Sequence, residues 1–247
     1  MDTPGYVVLS RLAAQRRATD VLAANIANAG TPGFRASQTV FAAHLSPQGR
    51  AAVPSGGRDL AFTEDRATWR DFTPGALQQT GNPLDLALPG EGFFALQTPA
   101  GERFTRAGRF TLSPDSRIVD AGGNAVLGEG GQPLTLPPGD VRIEVKGDGT
   151  VLSESGPIGR LRVVRFEDPQ RLLAEGERNF AAPPEQEPQP VAQPAVVQGA
   201  VEESNVRPIA ELTRLTAGMR EFEFAAQFVE KEAERLGSAV DRILRRR

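Results

Sequence analysis

Residues 208–244 read PIAELTRLTAGMREFEFAAQFVEKEAERLGSAVDRIL, and the spacing of their apolar positions governs how the rest of the chain is read. Leu212, Leu215, Met219, Phe222, Ala226, Val229, Ala233, Leu236, Val240 and Ile243 follow alternating steps of three and four without a break. A mean step of about 3.5 places them on one narrow stripe of an α-helix, the seam of a coiled coil. At ~1.5 Å per residue such a helix would be roughly 55 Å long, too long to hide inside one ordinary domain. Pro208 suits a first turn, where its missing N–H would be unpaired anyway. Ser204 and Asn205 are expected to cap the helix. Phe224 and Phe228 fall off the stripe, one turn apart, so more than one neighbour is expected. The plainer alternative is a long helix packed along its own body.

A matching stripe lies at the other end of the chain. Between residues 4 and 29, Val8, Leu12, Leu22, Ile26 and Ala29 keep the same spacing, with Gln15 and Thr19 filling the gaps. Two such seams suggest that the ends pair with each other or with the same ends of neighbouring copies. The first helix should stop at Asn28-Ala29-Gly30-Thr31-Pro32-Gly33. There Gly30 can take a left-handed cap and Pro32 forbids continuation.

Between the helices the pattern changes. From Phe34 to about Thr73 no period is sustained; Phe34, Val40, Phe41, Leu45, Trp69 and Phe72 are scattered anchors of an extended arm. Residues 76–180 alternate in short runs such as Leu84–Leu88, Phe94–Gln97, Val141–Val145 and Leu161–Val164, separated by glycine- and proline-bearing turns. That is an antiparallel β domain. Residues 181–203 hold five prolines among Ala, Gln and Glu, the composition of a semi-rigid tether. The expected order is helix 1–33, arm 34–75, β domain 76–180, tether 181–203 and helix 204–247. The fold class is α+β, mainly β, with the two terminal helices paired as a coiled-coil-like shaft.

Composition narrows the function. The 247 residues are 24% charged and 39% hydrophobic with net charge −3, so no general attraction to nucleic acid or acidic lipid is expected. No cysteine is present, which removes disulfides and thiolate chemistry. No run approaches the ~20 apolar residues of a membrane span. Met1-Asp2-Thr3-Pro4-Gly5 lacks the basic region of a secretory signal.

The search for catalysis finds none. Gly90-Glu91-Gly92-Phe93-Phe94-Ala95 fits a dinucleotide fingerprint superficially, but that motif needs a following helix and a strand is expected here. His44 is a lone histidine with no second ligand type beside it, so no cysteine or histidine metal site is expected. Asp148 and Glu144 could pair for acid–base work, yet turn carboxylates of a β protein are normally solvated. The reading is therefore no enzyme, no cofactor, no metal, no small-molecule substrate and no nucleic-acid partner.

Four motifs carry a resemblance. Ala24 to Phe34, including Asn25, Asn28 and Gly33, resembles the "ANNxANxxTxGF" signature of bacterial flagellar rod and hook proteins. Asn82-Pro83-Leu84-Asp85 through Gly92-Phe93-Phe94 resembles the family's "NPLDxAIxGxGFF", and Phe104 to Phe110 its "YTRxGxF". Gln198-Gly199 with Glu202, then Ser204-Asn205-Val206-Arg207-Pro208, is similar to "QGxxExSNVNP". They stand in the family's order across essentially the whole chain. Arg35, Thr31-Pro32 and Arg207 depart from the pattern. Membership would imply a structural building block of the basal body, exported through the flagellar type III apparatus without a cleaved signal and stacked helically around a channel. Chain length points to the proximal rod, with the distal rod as the alternative and the longer hook subunit disfavoured. A secreted coiled-coil stalk or adhesin is the reading from another class. Subunit contacts are expected at the two seams.

Overall fold

The computed structural model describes residues 3–46, 60–176 and 178–244. The fold is mainly β with one helix near each end, and the chain divides into two compact units. The helical unit draws on the chain up to Ala27, on Ser37–Arg70 and on the chain from Arg207; the β unit comprises Asn28–Ala36 and Asp71–Val206.

In the helical unit, helix α1 spans Thr3–Ala27 and helix α2 spans Pro208–Leu244. The α2 bounds are those the three–four spacing implies. Glu211 in its first turn and Arg242 in its last complement the helix dipole. The expected caps are corrected. The Arg207 carbonyl accepts from Glu211 N, while the Asn205 side chain is committed to the β unit. After α1, Thr31 closes a turn by donating from N and Oγ1 to the Asn28 carbonyl and side chain, both at 3.0 Å. The left-handed glycine there is Gly33, at φ +72°, and not Gly30.

The stretch read as an arm is an antiparallel hairpin of β1 (Ser37–Ser46) and β2 (Leu60–Arg70). Its register shifts between Val40 and Phe41. That bulge interrupts the two-residue alternation, which is why the sequence shows no sustained period. His44 stands opposite Phe62 in the ladder. Residues 47–59, where the glycine-rich punctuation falls, lie outside the described residues.

The β unit is built on an antiparallel sheet. Its order runs Leu173–Glu175, Asn179–Ala181, Gly101–Thr105, Phe93–Thr98, Ala125–Val126, Ile118–Val119, Thr111–Leu112. Val163–Arg165 also pairs with Phe93-Phe94 and with Gln189–Pro190. The central strand is buried on both faces. Phe94 and Leu96 enter a core with Phe110, Ile118, Val126 and Leu161, and Phe93 and Ala95 enter a second core with Phe104, Phe166 and Phe180. The proline-bearing 181–203 segment is part of this unit: Val197–Gln198 pairs with Leu86–Ala87, and Ala200–Glu202 with Leu77–Gln79. Backbone pairing overrides the polyproline tendency there.

Candidate assembly surface

Within the helical unit, the two helices and the hairpin meet at Asn25, which is 1% exposed. Its Nδ2 donates to the Ser37 carbonyl at 2.8 Å and to Glu211 Oε2 at 3.2 Å, and its Oδ1 accepts from Ser37 N at 2.9 Å. Further along, Gln15 Nε2 donates to the Gly218 carbonyl at 3.1 Å. A Cβ on residue 218 would stand 3.2 Å from that Nε2, so a larger side chain would crowd the crossing. Arg11 and Glu221 pair at 3.6 Å with both side chains more than half exposed, an interaction worth little.

The predicted seam divides between these surroundings. Val8, Leu12, Leu22, Ile26, Leu215, Ala226 and Val229 are half-buried, whereas Leu212, Met219, Phe222 and Ala233 are exposed. The side chains of Leu236, Val240 and Ile243 lie outside the described residues. Apolar spacing missed Glu211, Gly218 and Ala225, because a polar or small residue gives no hydrophobic signal. Phe224 is 75% exposed and Phe228 49%, on a helix that already has a partner. Together with Val8, Arg11 and Ala225 they line a cavity of about 410 Å³.

In the β unit the motif residues converge. Glu202, 1% exposed, pairs through Oε1 with Arg35 Nη2 at 2.6 Å and through Oε2 with Arg106 Nη2 at 2.8 Å. Oε1 also accepts from Gly75 N at 3.0 Å. Arg106 uses all five of its donors: Nε and one Nη2 proton on Glu202, the other on the Leu88 carbonyl, and Nη1 on the carbonyls of Gly90 and Gly92. The Gly90–Gly92 turn is thus moulded around a guanidinium. Burial, first of all, lowers the Arg106 pKa; the Glu202 charge opposes this and the like charge of Arg35 adds to it. Two buried cations face one buried anion.

Neighbouring motif residues complete the lock. Gly33 N donates to the Glu202 carbonyl at 2.8 Å. A Cβ on residue 33 would lie 2.4 Å from Ala107 N, so only glycine permits this approach. Asn205 accepts from Ala36 N at 2.7 Å and donates to the carbonyls of Asp71 at 2.8 Å and Thr73 at 3.0 Å. Asn82 organises its own turn by accepting from Leu84 N and donating to Asp85; the Pro83 carbonyl accepts from Gln198 Nε2. Val206 is buried, and Ser204 Oγ accepts from Val206 N at 3.2 Å. Phe93 packs edge-on against Phe72, Phe166 and Phe180.

The residues examined for chemistry are engaged in turns and strands. Phe93–Thr98 after the paired glycines is a strand, so no helix N-terminus is aimed from that motif. Asp148 accepts from the backbone and hydroxyl of Thr150, both at 3.0 Å. Among the described residues no helix is long and apolar enough to cross a membrane.

Comparisons with known proteins agree on one family. The model described as "Flagella basal body rod protein" matches residues 6–35, that of the "Flagellar hook protein FlgE/F/G D1 domain" matches 87–153, and that of the "Flagellar basal body rod FlgEFG protein C-terminal" matches 197–242. The chain is 36% identical to the flagellar basal-body rod protein FlgF of Caulobacter vibrioides, over 98% of each chain. It is 31% identical to FlgF of Salmonella typhimurium over 97% of each. To the rod protein FlgG of Agrobacterium fabrum it is 27% identical, over 94% of this chain and 95% of that one.

Proposed function

The chain belongs to the flagellar basal-body rod protein family, and we propose that it occupies the proximal rod and stacks there through its two terminal helices. It is a structural subunit of the flagellar basal-body rod and not an enzyme. Its partners are other rod subunits, copies of itself among them, and the flagellar type III export apparatus delivers it to the periplasmic stretch where the rod grows. Stacked helices transmit torque from motor to hook. Preference for the proximal over the distal rod rests on the higher identity to relatives named FlgF than to the relative named FlgG.

The observation that carries the assembly reading is the apolar surface that α2 leaves exposed. A helix that already packs on α1 still presents Ile209, Leu212, Met219, Phe222, Phe224 and Phe228 to solvent. Leaving such groups wet is costly. They fall on two sides of the helix, Leu212, Met219 and Phe222 along the stripe and Phe224 with Phe228 off it, so each side offers an apolar contact to a neighbour. A heterologous contact repeated from copy to copy builds an open helical filament. Mass-spectrometric detection in purified hook–basal bodies, with hooks detached in a parallel sample, tests the placement. The chain should persist after hook removal at far fewer copies than hook subunits. Absence from intact basal bodies would sink the rod assignment and bring the secreted stalk forward.

A further inference from the structure

The β unit carries an apolar knob and an aromatic-floored cavity beside different cores of its sheet. Among its described large hydrophobic residues, Val141 is the most exposed, at 79%. The others left exposed, Leu77, Leu112 and Leu173, belong to strands; Val141 directly follows the Pro138–Gly139 turn. That turn is tied down at both sides. Asp140 N donates to the Pro137 carbonyl at 3.2 Å, and the Asp140 carboxylate accepts from Ser155 N at 3.1 Å and Ser155 Oγ at 2.8 Å. Exposed Pro138 adds a second rigid apolar surface at the tip. A knob held in this way loses little conformational freedom on docking.

The cavity measures about 500 Å³. Phe72, Phe93 and Phe166 with prolines form its apolar lining, Arg35 and Arg106 reach it while paired to Glu202, and exposed Glu91, Arg165 and Glu167 stand at its rim. Its volume suits a turn tip better than one side chain. The charges beside the knob mirror those of the rim: Arg142 and Glu154 flank Val141, paired with each other only at 3.9 Å and well exposed. Arg142 can face the two rim glutamates while Glu154 faces Arg165, which fixes register more than it adds affinity. Val141 leads into Ile143–Val145, which packs in the core of Phe94 and Leu96. The cavity floor belongs to the core of Phe93 and Phe166, across the same strand. Knob and cavity thus adjoin different cores, and no contact joins them within one chain among those described.

We propose that the Val141 turn of one copy seats in the Phe72–Phe93–Phe166 cavity of a second copy. The contact is head-to-tail, so it propagates instead of closing. It rests on the rod-subunit reading and adds to the helices a second, residue-specific link between β units.

The cysteine-free sequence makes the test clean. A Val141→Cys, Glu91→Cys double variant replaces the native chain in cells, and isolated basal bodies are oxidised or treated with a bismaleimide whose longer reach covers imperfect disulfide geometry. Both positions are exposed, and circular dichroism of the purified variant verifies the fold. The expected result is a ladder of chain multimers, absent from each single-cysteine variant. Basal bodies that contain the variant but give no multimer, or a thiol joined to a different protein, overturn the proposal while leaving the rod assignment intact. Absence of the native chain from basal bodies would overturn both.

Discussion

Arg106 spends every N–H it has on Glu202 and on three carbonyls of the 88–92 turn, and Glu202 in turn holds Arg35. Residues from four separated segments therefore share one buried charge network. Removing one partner of such a network leaves uncompensated charge in the interior. Glu202→Gln, which strands two guanidiniums, should cost about 3–5 kcal/mol of stability in the β unit. Denaturant unfolding followed by circular dichroism measures it; a loss under about 1 kcal/mol would mean that water reaches the site and screens it. The motif letters at Arg106, Gly33, Glu202 and Asn205 were legible in the sequence, but their physical reason was not. Nothing in the local spacing around Glu202 signals that its carboxylate meets arginines 96 and 167 positions away. A charge network is a property of the folded topology.

Elements whose apolar positions keep a regular period are legible in the sequence, and elements that break their own period are not. The α2 bounds, Pro208 to Leu244, follow from ten apolar positions in unbroken steps. The hairpin of β1 and β2 is not legible because β2 carries one extra residue, Arg66, between the partners of Val40 and Phe41, which shifts its period partway along. The 181–203 segment was misread because prolines are tolerated at strand edges when their partners supply the donors. Within α2 the spacing found the apolar positions but could not tell which of them face α1, since Glu211 and Gly218 make that contact through polar atoms. An element so exposed derives little stability from packing. In hydrogen exchange on the isolated chain, amides of α2 beyond Gly218 should exchange much faster than those of Phe93–Thr98. Equal protection in both would show that α2 needs no neighbour to be stable.

At the scale of the whole molecule, the β unit is self-sufficient in its core and the helical unit is not. Two aromatic cores fill the β sheet from both sides, whereas α2 leaves six large apolar residues exposed among its described side chains, Ile209 most of all. That asymmetry is what a subunit needs when it must exist alone before it is built into a filament. The most direct test of this account is to replace the native chain with Phe222→Asp or Phe224→Asp and to quantify it in purified basal bodies alongside swimming motility. Phe224 is 75% and Phe222 40% exposed, and neither belongs to the β-unit cores, so the β unit should remain folded in both variants by circular dichroism. The account predicts a folded protein that is missing from the rod, in cells that do not swim. Normal incorporation and normal swimming by both variants would contradict it.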